Sequence, residues 1–198
     1  MKIAIGSDHA GFELKKQVVQ FLKLKHEIKD FGTYSLDSCD FPDYAKKVCE
    51  SVSTGKYDRG ILICLTGTGT AIASNKFRNI IATNIYSLTK ESLDVIKHDR
   101  EHLNSNVLCL GAKFLDIEFV KKVIDIWLTT DFKGNESDGE RFTRRLNKIK
   151  EIEGEQMKIS KEAIERIKKI NELSFKLNGG KEETMTYTLE SIRGLQTR

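Results

Sequence analysis

Two hydrophobic periods alternate along the first 130 residues. Short, almost uninterrupted apolar runs lie at Lys2–Ser7, Glu27–Phe31, Gly60–Cys64, Ile80–Asn84 and Val107–Gly111, the pattern of strands buried on both faces. Between them, segments of helical period lie near residues 10–24, 42–54, 67–77, 87–101 and 116–129. Strand–helix alternation predicts an α/β fold, with five parallel strands covered by helices on both faces. Ligands of such a fold gather at the carboxyl ends of the strands, so the segments just after each strand are the ones to read for chemistry.

After Phe132 the pattern changes. A polar, glycine-bracketed loop, Lys133–Gly139, precedes a basic helical stretch from about Arg141 to Glu153. Beyond Gly154 a further helix is expected to start at Ser160 as N-cap, with Ile164, Ile167, Ile170 and Leu177 at helical spacing. Asn178-Gly179-Gly180 ends it, and the tail to Arg198 offers Tyr187, Leu189, Ile192 and Leu195 as apolar anchors. This reading divides the chain into a domain of residues 1–153 and a C-terminal helical extension and tail, 154–198.

Composition narrows the function classes. The chain of 198 residues carries 33 basic and 29 acidic side chains, interspersed, for a net charge of +4. No single-sign face argues for nucleic acid, while a small anionic ligand remains open. No run approaches the roughly 20 apolar residues of a membrane span, and the start, Met1-Lys2-Ile3-Ala4-Ile5, is strand-like rather than a signal peptide, so a cytoplasmic protein is expected. Cys39, Cys49, Cys64 and Cys109 share no CxxC spacing, which argues against a zinc site or a disulfide framework.

Four segments carry candidate chemistry. The first strand runs into Gly6-Ser7-Asp8-His9-Ala10-Gly11, placing an acid and an imidazole at the sheet edge; Asp8 there is either a helix N-cap or a catalytic group. The third strand ends in Cys64-Leu65-Thr66-Gly67-Thr68-Gly69-Thr70 and opens a helix. Successive backbone N–H groups at such a turn, reinforced by the helix dipole, can hold an oxyanion. A cysteine at that edge is either a small buried hydrophobe or a thiolate stabilised by the same donors and able to take a proton from carbon. His98 and His102 lie four apart and suit a metal pair superficially, but no HExxH glutamate or further ligand stands nearby. Arg141, Arg144 and Arg145 form a basic cluster, with Arg141 and Arg145 sharing a helix face, either as solvated surface or as a guanidinium clamp for phosphate.

As a set these segments are specific. Lys2–Phe21, Asp30–Tyr34, Asp40–Ala45, Asp58–Lys76, His102–Gly111 and Arg141–Ile149, in that order, resemble the ribose-5-phosphate isomerase B and galactose-6-phosphate isomerase family of sugar-phosphate isomerases. The resemblance covers roughly residues 1–153. It implies a Rossmann-like three-layer α/β/α sandwich and a homodimer or dimer of dimers with shared active sites. The implied reaction is aldose–ketose isomerisation of ribose 5-phosphate and ribulose 5-phosphate, a step of the pentose phosphate pathway, through an enediolate and with no metal or other cofactor. Cys64 then matches the base, and Thr66 with the Leu65–Gly69 backbone, including Gly67 and Thr68, the anion hole. His102, assisted by Asp8, matches the ring opener; His9, Arg141 and Arg145 match the phosphate clamp. Asn75 and Leu103 fall at further substrate-contacting positions.

Four residues depart from the family pattern, all towards apolar groups: Leu65 for glycine, Leu103 for asparagine, Phe41 for tyrosine and Phe142 for histidine. The helix before Asn104 is also several residues longer than usual, so His98 competes with His102 as ring opener; the spacing of Arg100-Glu101-His102 and Asn106-Val107 favours His102. A hexose 6-phosphate substrate (galactose or allose 6-phosphate) and a phosphosugar-binding homologue without activity are the alternatives these departures raise. Residues 160–177 are expected to add oligomer contacts, because an isolated helix of that length is marginal in water unless its apolar stripe is buried.

Overall fold

Residues 1–177 are described by the structure, a computed structural model of the chain. Strands β1 (Lys2–Ser7), β2 (Glu27–Asp30), β3 (Arg59–Cys64), β4 (Ala82–Ile85) and β5 (Val107–Gly111) form a five-stranded sheet in the order β2-β1-β3-β5-β4. Every neighbouring pair is parallel. The helices are α1 (Phe12–Leu22), α2 (Phe41–Ser53), α3 (Thr68–Ser74), α4 (Lys90–His98), α5 (Ile117–Thr129) and α6 (Glu140–Leu177).

The period of two along the strands builds two cores. Ile3, Ile5, Ile61, Ile63, Leu108 and Leu110 face α1 and α5 and pack on Leu14, Val18, Leu22, Val120, Ile124 and Trp127. Ala4, Leu62, Val107 and Cys109 face the opposite way, against Ala45, Val48, Cys49 and Val52 of α2 and Ala71 of α3. The expected α/β/α sandwich follows directly. The chain leaves β1 towards β2 on one side and crosses back to β3 on the other, so a crevice opens between the carboxyl ends of β1 and β3. Asp8-His9 and Cys64–Gly69 are the residues that emerge there.

Three boundaries differ from the sequence reading. β4 begins at Ala82 rather than Ile80, because side chains take part of the pairing on either side of that point: Asn106 Oδ1 accepts from Ile81 N (2.9 Å), leaving only the Ile81 carbonyl to the backbone N–H groups of Asn106 and Val107, and Asn75 brackets Ala82. α4 starts at Lys90, capped by Thr89, whose Oγ1 accepts from Ser92 N at 3.2 Å, and runs into a π-helical turn at Asp99–Leu103. The expected break at Gly154 and the N-cap at Ser160 do not occur, and α6 is continuous. One glycine in a helix interior costs only about 1 kcal/mol, and Glu155–Ile159 contains no proline to stop the helix. The chain divides into two compact units, Met1–Leu146 and Asn147–Arg198. The glycine pair after Leu177 and the tail anchors lie outside the described residues. No helix among the described residues is long and apolar enough to cross a membrane.

Candidate active site

The loop after β3 is held by its carbonyls. Cys64 O accepts from Ala112 N (2.9 Å) and Leu65 O from Lys113 N (3.0 Å), both just beyond β5. Gly67 O accepts from Thr70 Oγ1 (2.9 Å) and from Ala71 N (3.0 Å). The remaining carbonyl, that of Thr66, is met by Asn84 of β4, whose Nδ2 lies 3.4 Å from Thr66 O and 3.1 Å from Thr68 Oγ1. With the carbonyls drawn back, the N–H groups at the start of α3 have no intrahelical acceptors; that of Thr68 is met by Thr66 Oγ1 at 3.4 Å, and the turn forms one concavity. Gly67 is required at the bend: its φ is +74°, and a Cβ there would lie 2.1 Å from Asn84 Oδ1. The Phe41 ring covers Gly69 so closely that a Cβ on that residue would come within 2.9 Å of it.

Cys64 lies at the edge of this concavity. It is 4% exposed, and its Sγ accepts from Gly67 N at 3.1 Å and sits 3.6 Å from Thr70 Oγ1. Cys49 and Cys109 are also buried: burial pushes the first thiol up to about 11 and the second up to about 12, which keeps both protonated near neutrality. Leu65, the bulky residue after the cysteine, points outward and is 49% exposed, so it does not fill the concavity.

Across the crevice, Asp8 is buried and its Oδ1 accepts from Gly11 N (3.0 Å), capping the short 3-10 turn His9–Gly11. The cap occupies one carboxylate oxygen of Asp8 and bears out its reading as an N-cap. His9 Nδ1 lies 3.2 Å from both N and O of Cys39. With Nδ1 accepting from Cys39 N the neutral ring carries its hydrogen on Nε2 and presents a donor there; with Nδ1 donating to the Cys39 carbonyl the neutral ring presents Nε2 as an acceptor. Behind this edge Lys15, 1% exposed, donates to Asp30 (2.7 and 2.8 Å) and to Thr33 O (2.7 Å), fixing α1 against the end of β2.

The histidines and arginines form a second group. His98 stacks on His102 with centroids 5.3 Å apart, and His102 stacks on Phe142 at 4.1 Å and 11°. The Arg141 guanidinium lies 4.6 Å from the centre of the Phe142 ring. Phe142 and Leu146 are buried, so they anchor the first turns of α6 while Arg141 and Arg145 stay exposed. The π-helical turn absorbs the extra length noted in the sequence and delivers His102 to this stack; such turns recur at functional sites. Partial burial first, then the neighbouring His98, hold the His102 pKa below the ordinary histidine value. Beneath them Asp99, hydrogen-bonded to Thr83 Oγ1, has its carboxyl raised by burial. Among the described residues, no cluster of three or more His, Cys, Asp or Glu is placed to hold a metal ion.

Asn75, expected at the substrate, instead spends both amide atoms on Ala82, donating to its O (3.0 Å) and accepting from its N (2.9 Å). Sequence reasoning passed over Thr70 and Asn84. Thr70 was findable as the hydroxyl three residues after a loop carbonyl; Asn84 carried no local signal, because its partners are 16 and 18 residues away. Among the described residues no hydrogen bond, ion pair or ring contact joins the Cys64 group to the His102 group.

Residues 3–149 match the family model described as Ribose/Galactose Isomerase. The chain belongs to that family. It is similar to ribose-5-phosphate isomerase B of Escherichia coli K12, with 38% identity over 156 residues, 77% of this chain and 96% of that protein. Among solved structures it is similar to ribose-5-phosphate isomerase B of Clostridium thermocellum, at 39% identity and a TM-score of 0.72, over 79% of this chain and 99% of that one. It is also similar to the Mycoplasma genitalium enzyme with bound ribulose 5-phosphate, at 36% identity and a TM-score of 0.70, over 78% and 97%. The family match ends at Ile149, so the later part of α6 lies beyond it.

Proposed function

We propose that the chain is an aldose–ketose isomerase interconverting ribose 5-phosphate and ribulose 5-phosphate, with Cys64 as the base. The observation that carries the reading is the Cys64 Sγ accepting from Gly67 N in a loop that opens directly into the N-terminus of α3, where an anion can be held. The thiolate takes the C2 proton of the open-chain aldose as the O1 oxygen gains negative charge. The Thr66 hydroxyl and the loop N–H groups stabilise that enediolate; the O2 proton passes to O1, and the cysteine returns its proton to C1, leaving the carbonyl at C2. His9, Arg141 and Arg145 bind the phosphate, whose binding energy holds the small reacting end in register. His102, kept neutral by its lowered pKa, accepts the ring hydroxyl proton while Asp8 assists the opening.

Within one chain the Cys64 and His102 groups are built separately, which favours a homodimer in which each site takes the loop from one subunit and the stack with its arginines from the other. Residues 1–153 carry this site, and residues 160–177 of the C-terminal extension add contacts between subunits in the cytoplasm. Truncation after Glu153 is expected to lower the mass in solution or the thermal stability; if both are unchanged, the oligomer role of the extension is wrong.

The test is isomerisation of ribose 5-phosphate by the metal-chelated protein, followed as ribulose 5-phosphate appears, with Cys64→Ala alongside. Wild-type turnover that disappears in the variant is the expected result. Turnover of hexose 6-phosphates alone would reassign the substrate, and turnover retained by Cys64→Ala would remove the thiol from the mechanism.

A further inference from the structure

The loop that faces the reacting oxygens has four carbonyls drawn back, at Cys64, Leu65, Thr66 and Gly67. Three of them are met by backbone N–H groups or by a hydroxyl of α3 itself, and these partners come with the fold. The Thr66 carbonyl alone of the four is held by a side chain from a different strand, Asn84 at the carboxyl end of β4. The orientation of that amide follows from its neighbours. Thr66 O can only accept, so the NH2 group must face it, and the opposite end, Oδ1, is left buried without a hydrogen-bond partner against Gly67. A purely structural position would gain by losing that unpaired oxygen.

The same NH2 group donates to Thr68 Oγ1 at 3.1 Å. A threonine oxygen that accepts in this way has its own hydrogen left to donate, and Thr68 is exposed at the mouth of the loop. We infer that Asn84 is a positioning residue of the isomerisation site: it sets the Thr66–Thr68 backbone and turns the Thr68 hydroxyl into a donor towards the enediolate. This rests on the isomerase reading above, since it assigns work to the same anion hole. Asn84 also lines an open cleft of about 370 Å³ with Tyr86, Ser87 and Glu91. Water in that cleft can satisfy Thr66 O when the amide is removed, so a truncated side chain is compatible with the fold.

The test uses the full-length protein and the variants Asn84→Ala, Asn84→Asp, Thr68→Val and Asn84→Ala/Thr68→Val. Three readouts apply: turnover of ribose 5-phosphate, calorimetric binding of a phosphorylated aldonohydroxamate as enediolate mimic, and binding of inorganic phosphate. Asn84→Ala is expected to lower kcat about tenfold or more with KM within about twofold, the signature of an interaction made in the transition state. Asn84→Asp is expected to fall further, because a carboxylate repels Thr66 O and takes the Thr68 hydrogen for itself. The double variant is expected to lose clearly less than the product of the single losses, because both act through one hydroxyl. Hydroxamate affinity should fall with kcat while inorganic phosphate affinity stays within about twofold. An Asn84→Ala enzyme with kcat within twofold of wild type, or losses that multiply in the double variant, overturns the inference. If the wild type turns over no sugar phosphate, that counts against the isomerase reading alone; hydroxamate affinity then decides, and a value unchanged in Asn84→Ala overturns the role of Asn84.

Discussion

The Cys64 loop and the His102 stack, which the proposed reaction brings together, are built on opposite terms. The loop is fastened by hydrogen bonds from β4, β5 and its own helix, its cysteine is 4% exposed, and a glycine at positive φ leaves no slack. The stack is held by flat ring contacts between a π-helical turn and the start of α6, with His98, Arg141 and Arg145 all exposed. Geometry for a developing charge must be fixed before reaction, because reorganisation at that moment costs rate. Ring opening and phosphate capture, the roles proposed for the stack and its arginines, tolerate more motion, and those arginines lie exposed on the surface.

The comparison predicts different failures on the two sides. Cys64→Ser is expected to lower turnover by about a thousandfold or more, on every substrate tested, because the proton has no other acceptor on the loop. His102→Asn is expected to cost less, and only for sugars that cyclise: a four-carbon aldose phosphate, too short to form the ring, should be turned over nearly as well by the variant as by the wild type. Equal losses on ring-forming and acyclic substrates would place His102 in proton transfer at carbon instead, and the division of labour between the two groups would be wrong.

The loop's rigidity can be tested without touching a reacting group. Gly67→Ala puts a methyl group where Asn84 Oδ1 already lies and forces a non-glycine residue to φ +74°. Strain at such a position costs about 1–3 kcal/mol, so a lower melting temperature and loss of activity should appear together. Phe142→Leu on the other side keeps the buried anchor of α6 but removes the ring beneath His102, and should affect KM for the sugar phosphate more than stability. A Gly67→Ala protein that melts and works like wild type would show that the loop has slack after all.

How far each side was legible follows from the range of the contacts. β1, β3 and β5 were readable because their apolar runs are buried on both faces, and the Gly-Thr-Gly-Thr turn because the N–H donors of a helix start are local. Asn84 was not, since its partners come from another strand. The apolar departures take their meaning from the fold. Leu65 turns outward, Phe41 lies over Gly69, and Phe142, which replaces a histidine of the family pattern, still supplies a flat ring for His102 to stack on. Gly154 misled for a simpler reason: a helix break was read from one residue whose cost, about 1 kcal/mol, is small beside the propensity of its neighbours.

The smallest expected effect is also the most specific to the stack. His98 lowers the His102 pKa from 5.3 Å away, behind partial burial as the larger cause. His102 therefore stays neutral to lower pH in the folded chain than in the unfolded one. Between the two values the unfolded state binds more protons, so this group's contribution to stability rises with pH across that window and is a penalty below it. The activity has the same sense, because the acid limb of kcat/KM follows the free enzyme's ring opener. His98→Asn removes the neighbouring charge, so the acid limb should move up in pH while the alkaline limb and the maximal rate stay in place. A limb that does not move would mean that it reports another group, and Asp8, the remaining acid beside the crevice, would be the next to test by Asp8→Asn.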